Sequence, residues 1–102
     1  MEKTVAFAQS GQTLTAVMLR DIDHHTAAFM RSEMDAEIQK RRPRLLVLDF
    51  SQVEFMDSSG VGLVMGRLKR MEQNGGNIRV QNLNKRCRRM LQLSGITRIV
   101  EI

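Results

Sequence analysis

The chain has 102 residues, 42% of them hydrophobic and 26% charged, with a net charge of +5. That length reads as a single domain, 1–102, burying roughly 65% of the surface its unfolded chain exposes. Its one cysteine, Cys87, excludes an intramolecular disulfide and a cysteine-based zinc cluster, as suits a reducing compartment. The opening MEKTVAFAQS is neither basic nor apolar enough for a secretory signal, and no apolar run approaches the roughly 20 residues of a membrane span. The expectation is a soluble cytoplasmic domain with no membrane contact. Four Phe and no Trp or Tyr leave the interior to Leu, Val, Ile and eight Met. The positive charge favours anionic or acidic partners, while the shortage of aromatics argues against stacking on single-stranded nucleic acid.

In chain order, residues 3–8 alternate loosely, QSGQ supplies turn chemistry and TLTAVMLR resumes the pattern, which predicts a β-hairpin. Asp23 is placed to cap a helix running to the arginines before Pro43, with Ala27, Met30, Met34 and Ile38 on one face. Pro43 bars its continuation. RLLVLDF is short and apolar throughout, a strand buried on both faces. After SQVEFM and DSSG, a second helix is marked by Val61, Val64, Met65, Leu68 and Met71, with Arg67, Lys69, Arg70 and Glu72 on its far side. QNGGN ends it and NIRVQNL is a further strand. Asn84 caps a third helix, whose Cys87, Met90, Leu91 and Ser94 face inward and which Gly95 terminates. ITRIVEI reads as a last strand. The order is β-β-α-β-α-β-α-β, an α/β fold with a mostly parallel sheet and an antiparallel edge from the hairpin.

The chemistry concentrates in Asp57-Ser58-Ser59-Gly60, between the buried strand and the second helix. The turn is open to four readings. The simplest is a helix cap, with the N–H groups of Gly60, Val61 and Gly62 left unpaired. A serine nucleophile is opposed by the missing Gly-x-Ser-x-Gly spacing and by the lack of any base besides His24 and His25. A nucleotide cradle is opposed by the absence of a Gly-Lys-Ser/Thr sequence. The fourth is a phosphoacceptor. A phosphoserine adds about −1.5 to −2 charge, which a helix N-terminus accommodates, beside the repelling carboxylate of Asp57. Such a modification changes the surface more than the fold.

These residues carry a resemblance. FMDSSGVGLVMGRLKR, with DIDHHTA upstream and MLQLSGITRIV downstream, is similar to the STAS-domain anti-sigma factor antagonists over nearly the whole chain. The Asp23-His24-His25-Thr26 stretch points to their sporulation branch, whose members antagonise the anti-sigma F factor. The resemblance implies a mixed sheet backed by helices and a non-enzymatic partner-switching role in transcription regulation. It further implies that the unmodified protein binds an anti-sigma factor with serine kinase activity and displaces its sigma factor. The kinase consumes ATP to phosphorylate the antagonist, and a PP2C-type phosphatase resets it. The modified position of the motif falls on Ser59, with Ser58 as the competing site. Asp23, His24, Asp57, Ser58, Ser59, Gly60, Val61 and Gly62 fall on the partner-facing edge. The family usually continues past the final strand into another helix, and Arg20 stands where sporulation members commonly carry glycine.

Other constellations read as structure. Asp49, at the end of LVLDF, lacks the acidic pair of a receiver domain and is expected to bond local backbone. His24 and His25 lack further ligands for a metal, and no cofactor is implied. Cys87 is expected to be inert packing. Lys85, Arg86, Arg88 and Arg89 flank an apolar face and read as solvated helix surface. A basic nucleic-acid-binding domain using that helix is the alternative function.

Overall fold

The computed structural model describes residues 3–100 and residue 102. Strand β1 (Val5–Ser10) turns through Gly11 and Gln12 into β2 (Thr13–Met18). Gly11 has φ +58, the left-handed backbone that a two-residue hairpin loop demands and that only glycine adopts freely. The turn is therefore shorter than the expected QSGQ, and β1 runs two residues further than its alternation suggested. Helix α1 (His24–Arg41), β3 (Leu45–Asp49), α2 (Ser58–Gln73), β4 (Asn77–Gln81) and α3 (Lys85–Leu93) follow.

The four strands form one mixed sheet in the order β1-β2-β3-β4, antiparallel between β1 and β2 and parallel thereafter. Register places Leu14 beside Leu46 and Leu46 beside Ile78, then Ala16 beside Leu48 and Leu48 beside Val80. Each of these six is buried, so one face of the sheet is a continuous apolar surface. Met30, Met34 and Ile38 of α1, Leu63, Val64, Leu68 and Met71 of α2, and Cys87 and Leu91 of α3 close over the same core. Methionine has the flexibility to fill gaps between branched strand residues, which is how a core without Trp or Tyr packs. The expected burial of β3 on both faces holds, with Leu46, Val47 and Leu48 all inside.

Helix ends follow their local chemistry. Asp23 caps α1, and Arg42, in the left-handed region at φ 49, closes it by donating its N–H to the Ile38 carbonyl at 2.9 Å. Pro43 comes next and the helix cannot resume. Asn84 caps α3 through Oδ1, which accepts from the Cys87 N–H at 2.8 Å. Glu33 of α1 accepts the N–H groups of Thr4 (3.0 Å) and Val5 (3.3 Å) and the Thr4 hydroxyl, tying the start of β1 to the helix layer.

Three expectations need correction. The described residues 96–100 are not a strand: Ile96–Arg98 form a single 3-10 turn. Its anchors are Ile96 and Val100, four residues apart and both buried, while Thr97 and Ile99 point outward, so the spacing that matters is helical. The N–H of Val100 returns to the Ile96 carbonyl at 3.0 Å. Ser94 does not face the core; it is the exposed C-cap of α3, and its hydroxyl donates to the Leu91 carbonyl at 2.6 Å. Met65 is 41% exposed, and Gly60 and Leu63 take the buried positions of α2 in its place.

Candidate functional site at two helix starts

Both α1 and α2 begin beside the same edge of the sheet, and a short backbone bridge holds their starts together. Ile22 and Met56 pair in parallel fashion. The Ile22 N–H donates to the Phe55 carbonyl and the Asp57 N–H donates to the Ile22 carbonyl, each at 3.0 Å. Asp21 reinforces the join, its Oδ1 accepting the N–H groups of Glu54 (2.9 Å) and Phe55 (3.2 Å). Ile22 and Met56 are fully buried beneath, so the two capping aspartates, one residue further on, are carried on a rigid base.

Each cap then orders its own turn. Asp23 Oδ1 accepts the Thr26 N–H at 2.8 Å, and Thr26 Oγ1 accepts the Asp23 N–H at 2.9 Å, a reciprocal capping box. The bond from the Thr26 N–H holds the exposed Asp23 carboxyl below the ordinary carboxylate range. Asp57 Oδ1 accepts the Ser59 N–H at 2.8 Å. The Gly60 N–H donates to the Asp57 carbonyl at 2.9 Å, which corrects the expectation that it is unpaired. Gly62 lies four residues after Ser58, where α2 begins, at the spacing of an ordinary helical bond.

The expected site residues fall as follows. Asp23 and His24 are exposed at the mouth of α1, and Ser58 is exposed at the first position of α2. Asp57 and Ser59 are half-buried, Gly60 is buried, Val61 is half-buried against the core and Gly62 is exposed. Gly60 is favoured by packing: a Cβ there sits 2.6 Å from Met56 Sδ, so the buried Met56 side chain would have to shift. Ser59 and His24 share the lining of a groove between α1 and α2, and Ser58 is not part of that lining. Phe55, at the threshold of the turn, is 46% exposed, an apolar side chain in open solvent next to the serines.

Sequence reading missed the other end of that groove. The sequence pattern puts Arg67 on the solvent face of α2, yet it is 5% exposed. Its Nε lies 2.9 Å from Asp35 Oδ1 of α1, and Arg70 Nε lies 3.8 Å from the same oxygen. Burial pushes the Arg67 guanidinium down from its usual range and the Asp35 charge opposes that shift. A signal was present: Arg67 stands four residues after Leu63 and three after Val64, on the buried stripe.

The remaining candidates stay structural. Asp49 Oδ1 accepts from the Ser51 N–H (2.8 Å) and Asn82 Nδ2 (3.2 Å), as expected of a strand-end anchor. Burial alone raises its carboxyl, but those bonds together hold it below the ordinary value. His25 packs edge-on against Phe29 with ring centroids 5.1 Å apart. Among the described residues no three His, Cys, Asp or Glu side chains gather in a metal-binding cluster. Cys87 is fully buried, and burial followed by the nearby Asp21 charge pushes its thiol up, so it is unreactive packing. Lys85, Arg86, Arg88 and Arg89 are exposed around the buried Cys87 and Leu91. No helix among the described residues is long and apolar enough to cross a membrane.

Comparison with known proteins places this geometry. The STAS domain model matches residues 8–102. The anti-sigma F factor antagonist of Paenibacillus polymyxa is 40% identical over 82 residues, covering 80% of this chain and 70% of that protein. The anti-sigma factor antagonist SpoIIAA in its unphosphorylated form superposes with a TM-score of 0.82 at 27% identity, over 94% of this chain and 84% of the other. The phosphorylated form of the Bacillus cell fate determinant SpoIIAA matches with a TM-score of 0.73 at 27% identity, over 94% and 87%.

Proposed function

The chain belongs to the STAS domain family of anti-sigma factor antagonists, and from that premise we propose that it is a phosphorylation-controlled partner switch built on Ser59. It is a binding regulator, not an enzyme. The unphosphorylated form docks onto an anti-sigma factor with serine kinase activity and frees the sigma factor held there. Phosphorylation of Ser59 ends the binding, and a PP2C-type phosphatase restores it. The setting is cytoplasmic control of transcription during sporulation, through protein contacts and not through nucleic acid.

One observation carries this reading: Ser59 is the second residue of α2, its N–H fixed by Asp57, and the Ile22–Met56 bridge holds it beside the mouth of α1. A kinase that grips Asp23 and His24 therefore meets a serine whose backbone is already ordered. Phe55 supplies apolar area at the same edge, of the kind that anchors an interface. A dianion placed in the middle of that patch is stripped of water when the partner covers it. Weakening the complex a few-hundred-fold needs only ~3–4 kcal/mol, less than a desolvated, unpaired charge costs.

The test is incubation with an anti-sigma F factor and ATP, followed by mass mapping of the product. Phosphate is expected on Ser59. Ser59→Asp folds normally and loses the partner, and Ser59→Ala binds without being released. Phosphate found on Ser58, or an alanine variant modified as readily as wild type, overturns the assignment.

A further inference from the structure

The three glycines of α2 divide by what surrounds them. Gly60 is dictated by packing, as its missing Cβ makes room for Met56. A Cβ on Gly62 or Gly66 meets no atom within 4 Å. Neither has the positive φ that excuses a glycine, since that conformation belongs to Gly11, Gly75 and Gly95. Alanine is the better helix former, so nothing within this chain explains two glycines there. What they share is the groove: Gly62 and Gly66 of α2 face Ala27 and Ala28 of α1 across a furrow of about 510 Å³ that begins at Ser59.

The furrow ends in positive charge. Arg31 and Arg67 line it there. The buried Arg67 holds Asp35 through an ion pair at Nε and a long hydrogen bond from Nη2 (3.4 Å), while its buried Nη1 has no hydrogen-bond partner among the described residues. Asp35 is shared with Arg70, so one carboxylate stands among three guanidiniums. A buried guanidinium N–H without an acceptor is costly, and it is satisfied most strongly by a carboxylate or phosphate oxygen. Small residues along the walls allow a peptide backbone to approach closely, which a compact anion does not require.

We propose that the α1–α2 groove receives an acidic segment of the anti-sigma partner, with a carboxylate of that segment pairing at the Arg31–Arg67 end. The inference rests on the reading that Ser59 is presented to this partner, and it names what holds the partner alongside the serine. Gly62 and Gly66 keep the furrow open at the expense of helix stability.

Two measurements test it. In the first, an anti-sigma F factor is titrated against wild type, the Gly62→Ala/Gly66→Ala double variant and Arg31→Glu, with Ser59 phosphorylation mapped in the same samples. The double variant is expected to melt above wild type yet bind at least ~10-fold more weakly. Arg31→Glu is expected to lose a similar factor without a change in melting. If wild type binds and is modified on Ser59 while both variants bind within about twofold of it, the groove assignment fails and the switch stands. The second measurement needs no partner. Hexaglutamate is titrated into labelled protein and followed through the Gly62 and Gly66 amides and Arg67 Nε, with inorganic phosphate as the comparison. Saturable shifts with the peptide, abolished in Arg31→Glu, support the proposal even if the anti-sigma factor does not bind. Shifts with phosphate alone assign the site to a small anion and overturn it, as does the absence of any shift.

Discussion

Ile22 and Met56, thirty-four positions apart in the chain, pair in a parallel bridge whose two backbone hydrogen bonds of 3.0 Å, from Ile22 to Phe55 and from Asp57 to Ile22, set the starts of α1 and α2 side by side. Everything proposed for Asp23 and Ser59 depends on that join, and Gly60 protects it by leaving space over Met56.

Gly60→Ala is therefore expected to lower stability despite the gain in helix propensity. Overpacking against a buried side chain costs ~1–3 kcal/mol and the propensity gain recovers ~1, for a net loss of up to about 2 kcal/mol. Gly66→Ala, whose Cβ enters open space, has the opposite sign and gains ~0.5–1 kcal/mol. Urea unfolding midpoints of the two variants decide the matter. Equal shifts in the same direction contradict the packing argument.

The Asp35–Arg67 pair makes a second prediction. Asp35→Ala leaves a guanidinium whose side chain is only 6% exposed without its counter-ion. Removing one partner of a fully buried pair costs ~3–5 kcal/mol, and the partial exposure of Asp35 reduces the expectation to about 2–3. Replacing both, as Asp35→Leu with Arg67→Met, removes the desolvated charge as well and should fall within ~1 kcal/mol of wild type. Chemical denaturation of the single and double variants separates the two cases. A double variant less stable than Asp35→Ala alone rules out charge burial as the source.

Asp23 makes a prediction about acid. Its folded-state carboxyl lies below the ordinary value of 3.8, chiefly through the Thr26 N–H. A depressed carboxyl contributes stability that is fully present above the unfolded value and is lost as pH falls through the folded one. Asp23→Asn keeps an acceptor for Thr26 but carries no charge to lose. The advantage of wild type over Asp23→Asn should therefore shrink as pH is lowered from about 6 to about 3, tracked by urea midpoints. An advantage that grows with acid contradicts the cap geometry.

Which of these features could be read from the sequence follows from how local each one is. Asp23, Asn84 and the DSSG turn announce themselves because a cap is chemistry within four residues, and Met30, Met34 and Ile38 because one helix face is a local pattern. The Ile22–Met56 bridge joins segments with no shared local signal, so it appears only when the chain is folded. Arg67 was misplaced because residue type overrode position: arginine suggests solvent, although its spacing from Leu63 and Val64 puts it on the buried stripe. The tail misled in the opposite sense. ITRIVEI is rich in β-branched residues, but two buried anchors four apart decide its geometry.

The last prediction separates a surface switch from an unfolding switch. A phosphate on Ser59 lies at the N-terminus of α2, where the helix dipole favours negative charge by ~0.3–1 kcal/mol. Against that stands Asp57, whose carboxylate already holds the Ser59 N–H at 2.8 Å. Unit charges ~4 Å apart repel by about 4 kcal/mol at an effective dielectric near 20, and solvent and salt reduce this at a half-exposed site. The two effects oppose each other, and the melting temperature of the phosphorylated protein should drop by no more than about 5 °C, the equivalent of ~1 kcal/mol for a domain of this size. Phosphorylated Asp57→Asn, which keeps a capping oxygen and removes the repulsion, should melt above phosphorylated wild type. Over the same comparison partner affinity should fall a few-hundred-fold, or ~3–4 kcal/mol. Calorimetry on the two forms beside a binding titration measures both. A phosphorylated chain that melts ten or more degrees lower, roughly 2 kcal/mol, moves the switch from the interface to the fold itself.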